Sequence, residues 1–172
     1  MKQDVDTVIK FQEKTNKNEK YMRLALKEAM IAYQNGDVPV GCVIVKDDKV
    51  IAKAHNIRQA KKDTLGHAEV VAIKKACKKL NAWVLEGCTI YVTLEPCLMC
   101  AGAILNARID ELVYATEEPK FGSIESVARV LDNDKYNHNV KIEKGVLKEE
   151  ASQMLKNFFK EIRIKKTFDK TK

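Results

Sequence analysis

Four stretches of the chain predict helices, and three of them repeat apolar residues with the spacing of an amphipathic α-helix. The first predicted helix starts after Asn18, a candidate N-cap, and ends at Gly36, which suits the position just beyond a helix. A second helical pattern runs from His67 to Leu80, and a short apolar helix is predicted over residues 97–106. The last helix closes the chain, and its apolar face consists of Leu147, Ala151, Met154, Leu155, Phe158, Phe159 and Ile162.

Segments rich in β-branched and alternating apolar residues lie between these helices. They predict strands over residues 40–46, 49–54, 88–94, 111–115 and 140–146. Asp47-Asp48 separates the first two strands and predicts a tight hairpin turn. Helices that alternate with strands after an opening hairpin predict an α/β fold whose mixed sheet is covered by helices on both faces.

The polar, lysine-rich residues 1–17 lack a sustained apolar period, so we expect a flexible N-terminal extension there. Residues 18–172 contain no internal repeat and no linker rich in proline, glycine or serine. A single domain is therefore predicted over residues 18–172, in agreement with a length of 172 residues.

Composition then excludes several classes of protein. A hydrophobic content of 45% is too high for a disordered chain, and the apolar stretches are shorter than the roughly 20 residues that cross a bilayer. The first residues lack an apolar signal region, and the five cysteines form an odd number. We therefore expect a cytoplasmic protein that does not bind a membrane. The net charge of +7 permits a polyanionic partner without identifying one.

Candidate chemistry is concentrated in two short segments, residues 66–69 and 94–100. Cys97 and Cys100 stand three residues apart at the start of a predicted helix, which places both sulfurs on one face and favours the thiolates that bind Zn²⁺. His67 supplies a third ligand. Three protein ligands leave a fourth position for water, so we predict one catalytic Zn²⁺ per chain. Leu98 and Met99, between the cysteines, are expected on the buried side of the helix.

Glu69 is the candidate general acid and base. Residues i and i+2 of a regular helix point to different sides, so His67 and Glu69 can share a site only if His67 lies in the cap or first turn. Gly66 makes such an entry into the helix possible.

Other interpretations of the Cys-x-x-Cys pair remain open at this stage. A thioredoxin-like redox pair has the same spacing but needs no His-x-Glu on a second helix. A structural zinc site would recruit a fourth ligand from Cys77 or Cys88. A zinc-stabilised RNA-binding protein without turnover is a further possibility, although a carboxylate beside the metal speaks against it.

The segment His67-Ala68-Glu69 together with Pro96-Cys97-Leu98-Met99-Cys100 is the signature of the zinc-dependent cytidine/deoxycytidylate deaminase superfamily. Further segments between roughly residues 19 and 166 resemble bacterial tRNA-specific adenosine deaminases. They are Asp37–Gly41, Asn56, Leu94–Ala103, Arg108-Ile109, Asn137-His138 and Leu155–Phe159. The resemblance implies a cytidine-deaminase-like three-layer α/β/α fold with a five-stranded mixed sheet.

The same resemblance implies conversion of adenosine to inosine at the wobble position of a tRNA anticodon, chiefly in an arginine tRNA, by a homodimer. It implies that His67, Cys97 and Cys100 bind zinc, that Glu69 transfers protons, and that Asn56 contacts the flipped nucleoside. The chain departs from the family pattern at Cys42, at residues 63–66 and in the loop 117–122. The alternative is a free-nucleobase or nucleotide deaminase acting on guanine, cytosine or a pyrimidine nucleotide, because the zinc chemistry would be the same.

Basic residues in two regions are candidates for contact with the anticodon stem-loop. Arg58, Lys61 and Lys62 lie close to Asn56 in sequence. The C-terminal helix contributes a second group, Lys160, Arg163, Lys165 and Lys166. Phe158 and Phe159 are adjacent and cannot both face the core, so one is expected to line a groove or a dimer interface.

Overall fold

The computed structural model describes residues 2–169, with side chains for residues 12–167. Within these residues the helices and strands alternate as predicted, in the order α1 Lys2–Gln34, β1 Gly41–Lys46, β2 Lys49–His55, α2 Arg58–Lys61, α3 Ala68–Leu80, β3 Cys88–Leu94, α4 Leu98–Asn106, β4 Glu111–Thr116, β5 Lys141–Lys144 and α5 Lys148–Asp169. The predicted limits of β1 to β4 and of α3 and α4 are confirmed to within one residue. Strand β5 is shorter than predicted, and the short helix α2 interrupts the expected loop before His67.

The five strands form one mixed sheet in the order β2-β1-β3-β4-β5. Strand β1 is antiparallel to both β2 and β3, whereas β3, β4 and β5 are parallel to one another. In the β1–β2 turn, Asp47 and Asp48 have φ values of 47° and 57°. These positive values match the type I′ turn that follows the right-handed twist of a hairpin, so the turn is confirmed although it contains no glycine.

Helices cover both faces of the sheet, and each face has its own core. Successive residues of a strand point to opposite faces. Ile44 accordingly packs with Ile90 in the core under α3 and α4, whereas Val43 packs with Tyr91 and Met22 in the core under α1. The three-layer α/β/α arrangement is confirmed.

Helix α1 begins at Lys2, so the predicted N-cap at Asn18 is wrong and residues 2–17 continue the helix that they were expected to precede. Asn18 is buried within the helix, where its Oδ1 accepts a hydrogen bond from the Tyr91 hydroxyl at 2.8 Å and its Nδ2 donates to Glu143 at 2.8 Å. Lys14 pairs with Glu111 at 3.2 Å and with Glu143 at 2.7 Å. These contacts with β4 and β5 stabilise a polar helical segment that has no apolar period. Residues 1 and 170–172 lie outside the described residues.

Strand β1 approaches α1 closely at Gly41. A Cβ atom at this position would lie 1.9 Å from the carbonyl oxygen of Ala25 and 2.5 Å from the amide nitrogen of Ala29, so a larger residue does not fit. The Gly41 amide also donates to the Thr93 hydroxyl at 3.1 Å. This bond fixes the start of β1 beside the carboxyl end of β3, where the predicted metal ligands follow.

None of the described helices is long and apolar enough to cross a membrane. All five cysteines are free thiols, as expected for a chain without a disulfide framework.

Candidate active site

The three predicted metal ligands meet where α3 and α4 begin. His67 is the N-cap of α3 and has extended backbone angles, φ −78° and ψ 144°. Cys97 is the N-cap of α4, with φ −74° and ψ 173°, and Cys100 follows in the first turn of that helix. The inference that His67 must lie outside the regular helix is confirmed. Because its direction does not follow the helical period, His67 can share a site with Glu69.

The ligand atoms have the separations that a tetrahedral zinc site requires. Nδ1 of His67 lies 3.6 Å from Sγ of Cys97 and 3.5 Å from Sγ of Cys100, and the three ligand atoms all lie within 4.8 Å of one another. Tetrahedral bonds of about 2.0 Å to nitrogen and about 2.3 Å to sulfur separate the two atoms by roughly 3.5 Å. The cluster can therefore hold a metal ion, and one imidazole with two thiols is a donor set that suits Zn²⁺.

Contacts within the cluster already favour one thiolate. A hydrogen bond from the Cys100 thiol, helped by His67, lowers the pKa of Cys97 to about 4. The same hydrogen bond, together with burial, raises the pKa of Cys100, because the two sulfurs share one proton. The Cys97 contact also raises the pKa of His67. A bound metal would displace the remaining thiol proton, so metal affinity at this site falls with acidity.

The alternative cysteine ligands lie away from this cluster. Cys88 opens β3, whose seven residues span about 20 Å at roughly 3.3 Å per residue, so it stands at the opposite end of the strand. Cys77 lies in the C-terminal part of α3, about 15 Å along the helix from His67 at 1.5 Å per residue. Among the described residues, the group with metal-ligand spacing consists of His67, Cys97 and Cys100. A three-residue ligand set leaves one coordination position for water.

Glu69 lies in the first turn of α3 and is 3% exposed. Burial raises the pKa of Glu69, and its carboxyl group faces the Cys100 thiol of the ligand cluster. A carboxyl group with a raised pKa beside a metal-bound water is suited to accepting a proton and giving it back. The position of Glu69 therefore agrees with the role predicted for it.

Asn56 connects the substrate side of the site to the start of α3. Its Oδ1 accepts a hydrogen bond from the Ala68 amide at 2.9 Å, and its Nδ2 donates to the Val38 carbonyl at 3.1 Å. The Ala68 amide would otherwise be one of the unpaired donors at a helix N-terminus. Asn56 also lines the cleft, so it fixes the residue after His67 and faces the space in which a substrate would lie.

A cleft of about 990 Å³ opens onto the ligand cluster and Glu69. One wall is the loop after β4, with Glu117, Glu118, Pro119, Lys120 and Phe121. Another part of the lining is one face of α5, formed by Ser152, Leu155, Lys156, Phe159 and Arg163. A cleft of this size holds a nucleotide-sized group.

The structure divides the predicted basic residues into two sets. Arg58 and Arg163 line the cleft. The others lie outside its lining, namely Lys61, Lys62, Lys160, Lys165 and Lys166. Phe159 is 42% exposed on the cleft, whereas Phe158 is buried against Tyr33, with ring centroids 5.3 Å apart. The predicted division between the two phenylalanines is confirmed.

The sequence did not predict how the other cleft residues are arranged. Lys156 belongs to the basic C-terminal stretch, and it lines the cleft because it shares a face of α5 with Phe159 and Arg163. Lys120 and Phe121 lie in the irregular loop 117–122, whose position no periodicity predicts. The expectation that Leu98 is buried is wrong, because it is 63% exposed and stands about 200° around the helix from the buried Cys100.

Comparison with known proteins identifies the family. The model of the MafB19-like deaminases matches residues 16–163. The tRNA-specific adenosine deaminase of Aquifex aeolicus is 47% identical over 145 residues, which cover 84% of this chain and 95% of that protein. The protein of the same name from Bacillus subtilis is 44% identical over 149 residues, with coverage of 87% and 92%.

A solved structure from a study of A-to-I editing by tRNA:A34 deaminases at the wobble position of transfer RNA has the same fold. It is similar with a TM-score of 0.75 and 40% sequence identity, and the match covers 78% of this chain and 97% of that chain. The cytidine-deaminase-like fold and the family resemblance read from the motifs are confirmed. This chain therefore belongs to the MafB19-like deaminase family and, within it, to the bacterial tRNA-specific adenosine deaminases.

Proposed function

We propose that this protein is a zinc-dependent hydrolase that converts adenosine to inosine at the wobble position of a tRNA anticodon, with an arginine tRNA as the substrate. The observation that carries the proposal is the His67, Cys97 and Cys100 cluster with the buried Glu69 at the end of a nucleotide-sized cleft. Its tRNA-specific relatives at 44% and 47% identity supply the substrate class.

One Zn²⁺ per chain, bound by His67, Cys97 and Cys100, would supply an activated water by lowering its pKa. Glu69 accepts a proton from the attacking water and delivers it to N1 of adenine while the oxygen adds to C6. The same carboxyl group then moves the hydroxyl proton of the adduct to the amino group, which leaves as ammonia. Adenosine and water thus become inosine and ammonia. Such proton transfer contributes about 10²–10⁴-fold to the rate.

The lining of the cleft is suited to a nucleotide drawn from an RNA loop. Arg58, Lys156 and Arg163 offer positive charge to phosphates, and Phe159 offers an exposed ring beside them. A base in a single-stranded anticodon loop costs less to unstack than a base in a duplex. Asn56 lies where it can contact the flipped nucleoside. Lys61, Lys62, Lys160, Lys165 and Lys166 remain candidates for phosphates farther along the stem-loop.

We further propose a cytoplasmic homodimer. The free cysteines suit a reducing compartment, which is also where tRNA is processed. Support for the dimer comes from large apolar side chains exposed beside the site, since Leu98 is 63% and Leu65 is 49% exposed.

The test is incubation of the zinc-loaded protein with an anticodon stem-loop of the arginine tRNA that has adenosine at the wobble position. We expect inosine at that position, and no product when guanosine replaces the adenosine. Stem-loops of other tRNAs with a wobble adenosine measure the specificity for arginine. Ammonia released from free guanine, cytosine or a pyrimidine nucleotide, with no inosine in the RNA, would favour the free-nucleobase deaminase.

A further inference from the structure

Glu95 is a buried carboxylate that the chemistry above does not use. It is 2% exposed, and its two oxygens accept five hydrogen bonds. Oε1 accepts from the amides of Ile124, Glu125 and Ser126 at 3.1, 2.8 and 2.9 Å. Oε2 accepts from the Glu118 amide at 3.0 Å and from the Ser126 hydroxyl. A single carboxylate therefore gathers the backbone of the loop from residue 118 to residue 126.

That loop carries the cleft wall formed by Glu117, Glu118, Pro119, Lys120 and Phe121. The segment that contains Cys97 adds two further contacts with the loop. Gly122 forms a β-bridge with Cys97, and the Ser123 amide donates to the Pro96 carbonyl at 2.8 Å. Glu95 thus stands between the predicted metal ligand Cys97, two residues away, and a wall of the cleft.

The loop is fitted tightly around this carboxylate. A Cβ atom on Gly122 would lie 2.3 Å from Oε2 of Glu95 and 2.5 Å from the Glu118 carbonyl oxygen. A side chain at position 122 would therefore displace either the carboxylate or the loop. Glu95 lines the cleft, but all five donors that meet its two oxygens are loop groups, so its carboxylate holds this backbone.

We propose that Glu95 is a positioning residue, whose carboxylate fixes the loop wall against the Cys97 segment and so sets the shape of the cleft for the substrate nucleotide. Glu95 acts through the loop and not on the reacting atoms. The inference rests on the proposed function only for its activity assay.

The first test is the near-isosteric substitution Glu95→Gln. The carboxamide keeps one acceptor oxygen but turns an NH₂ group toward amide or hydroxyl donors, so part of the network is lost. We expect the KM for the stem-loop to rise by about tenfold, the effect of losing roughly one charge-assisted hydrogen bond. The value of kcat should change less than about threefold and zinc content should stay at one per chain, because neither the ligands nor Glu69 bonds to this carboxylate.

A second measurement reports the wall directly and needs no activity. Lys120 is exposed in the loop, so the rate of trypsin cleavage after Lys120 measures how firmly the loop is held. Cleavage there should be faster in Glu95→Gln, with the remaining cleavage sites unchanged. If the wild-type protein fails to make inosine, the proposed function fails, and the cleavage rates still decide the role of Glu95.

Two further variants make the result decisive. Ser126→Ala removes one donor and leaves the carboxylate, so it should raise KM and loop cleavage by a smaller factor, and it replaces Glu95→Gln as the test if that variant does not fold. Glu143→Gln is the matched control, since Glu143 bonds Asn18 and Lys14 on the other side of the sheet. Unchanged KM and loop cleavage in a folded Glu95→Gln variant, or the same changes in Glu143→Gln, would overturn the proposal.

Discussion

At the scale of single residues, the site depends on where two helices begin. The N-cap position frees His67 from the helical period, and the first turn of the same helix buries Glu69 beside the cluster. Cys97 repeats this arrangement on α4, where the exposed amides of the helix N-terminus favour a thiolate. Two helix starts brought together therefore supply three residues that could hold a metal ion and the proposed acid–base group.

Glu69→Gln should keep the metal and lose activity, because it removes the proton carrier and no ligand. We expect the rate of inosine formation to fall by about 10²–10⁴-fold with zinc still at one per chain. Mass spectrometry of the metal and inosine yield from the stem-loop measure the two quantities. Loss of zinc along with activity would instead make Glu69 a ligand or a structural residue.

Cys97→Ala should lose both metal and stability, because metal binding and folding are coupled at such a site. The matched control is Cys88→Ala, which removes an equally small buried thiol at the far end of β3. We expect the control to retain one zinc per chain, as measured by elemental analysis after dialysis. Zinc loss in Cys88→Ala would restore the structural four-ligand interpretation.

At the scale of elements, the walls of the cleft are held by contacts that come from outside them. The short helix α2 has no side-chain cap of its own, and the buried Asp37 takes that role from the preceding segment. Its carboxylate accepts from the amides of Gln59 at 2.7 Å and Ala60 at 3.1 Å. Arg58 begins this helix and lines the cleft, so Asp37 fixes the backbone that carries it.

Asp37→Ala should lower the free energy of unfolding by about 1–2 kcal/mol, since it removes the carboxylate that caps two amides of α2. Urea denaturation monitored by circular dichroism gives this quantity. Asp63→Ala is the control, because Asp63 accepts one exposed hydrogen bond from the Leu65 amide, and we expect a change within about 0.5 kcal/mol. Equal effects of the two substitutions would contradict the capping role of Asp37.

Helix α5 presents one face to the cleft. We expect the basic residues on that face to contribute more to RNA affinity than the other basic residues of the helix. The double substitution Lys156→Gln with Arg163→Gln should weaken binding of the stem-loop. It should also make the slope of log K against log salt shallower by about 0.7–0.9 for each lost phosphate contact. Titrations at several salt concentrations measure both effects.

The control for α5 is Lys160→Gln with Lys165→Gln, which removes the same charge from positions outside the cleft lining. We expect a smaller loss of affinity at every salt concentration, with zinc content unchanged in both proteins. An equal loss would mean that the charge of the whole helix matters and not the face that it turns to the cleft.

At the scale of the whole molecule, exposed apolar side chains lie at different places on the surface. Leu98 follows Cys97 directly and is 63% exposed, and Leu65 stands two residues before His67 and is 49% exposed. Trp83 is 71% exposed and lies beyond the C-terminal end of α3, away from these helix starts. We place the proposed dimer interface at Leu98 and Leu65, because these two residues are next to the site.

Sedimentation equilibrium should give a mass of twice the 19.5 kDa of the chain. Leu98→Glu should shift the protein toward monomers, because a buried unpaired charge is costly in an interface. Trp83→Glu is the control, and we expect it to remain dimeric. A monomeric wild type would refute the dimer, and a monomeric Trp83→Glu variant would move the interface to the other surface.

The described helices and strands were largely predictable, because their signals are local. The β-branched run of β1, the apolar–polar alternation of β2 and the apolar stripe of α3 set these elements to within one residue of their limits. The start of α1 was not predictable in this way. Asn18 and Lys14 owe their positions to Glu143 on β5, and Asn18 is 125 residues from Glu143 in sequence.

The sequence by itself determined which residues could carry the chemistry of this protein. His67, Glu69, Cys97 and Cys100 occur within two short segments, and their spacing implies a metal site because ligand type and helix starts are local properties. The tertiary structure alone decided which basic residues line the cleft, that Phe159 and not Phe158 faces it, and that Glu95 holds its wall. Each of these depends on contacts between distant segments, such as the 31 residues between Glu95 and Ser126, and no local pattern records such a contact.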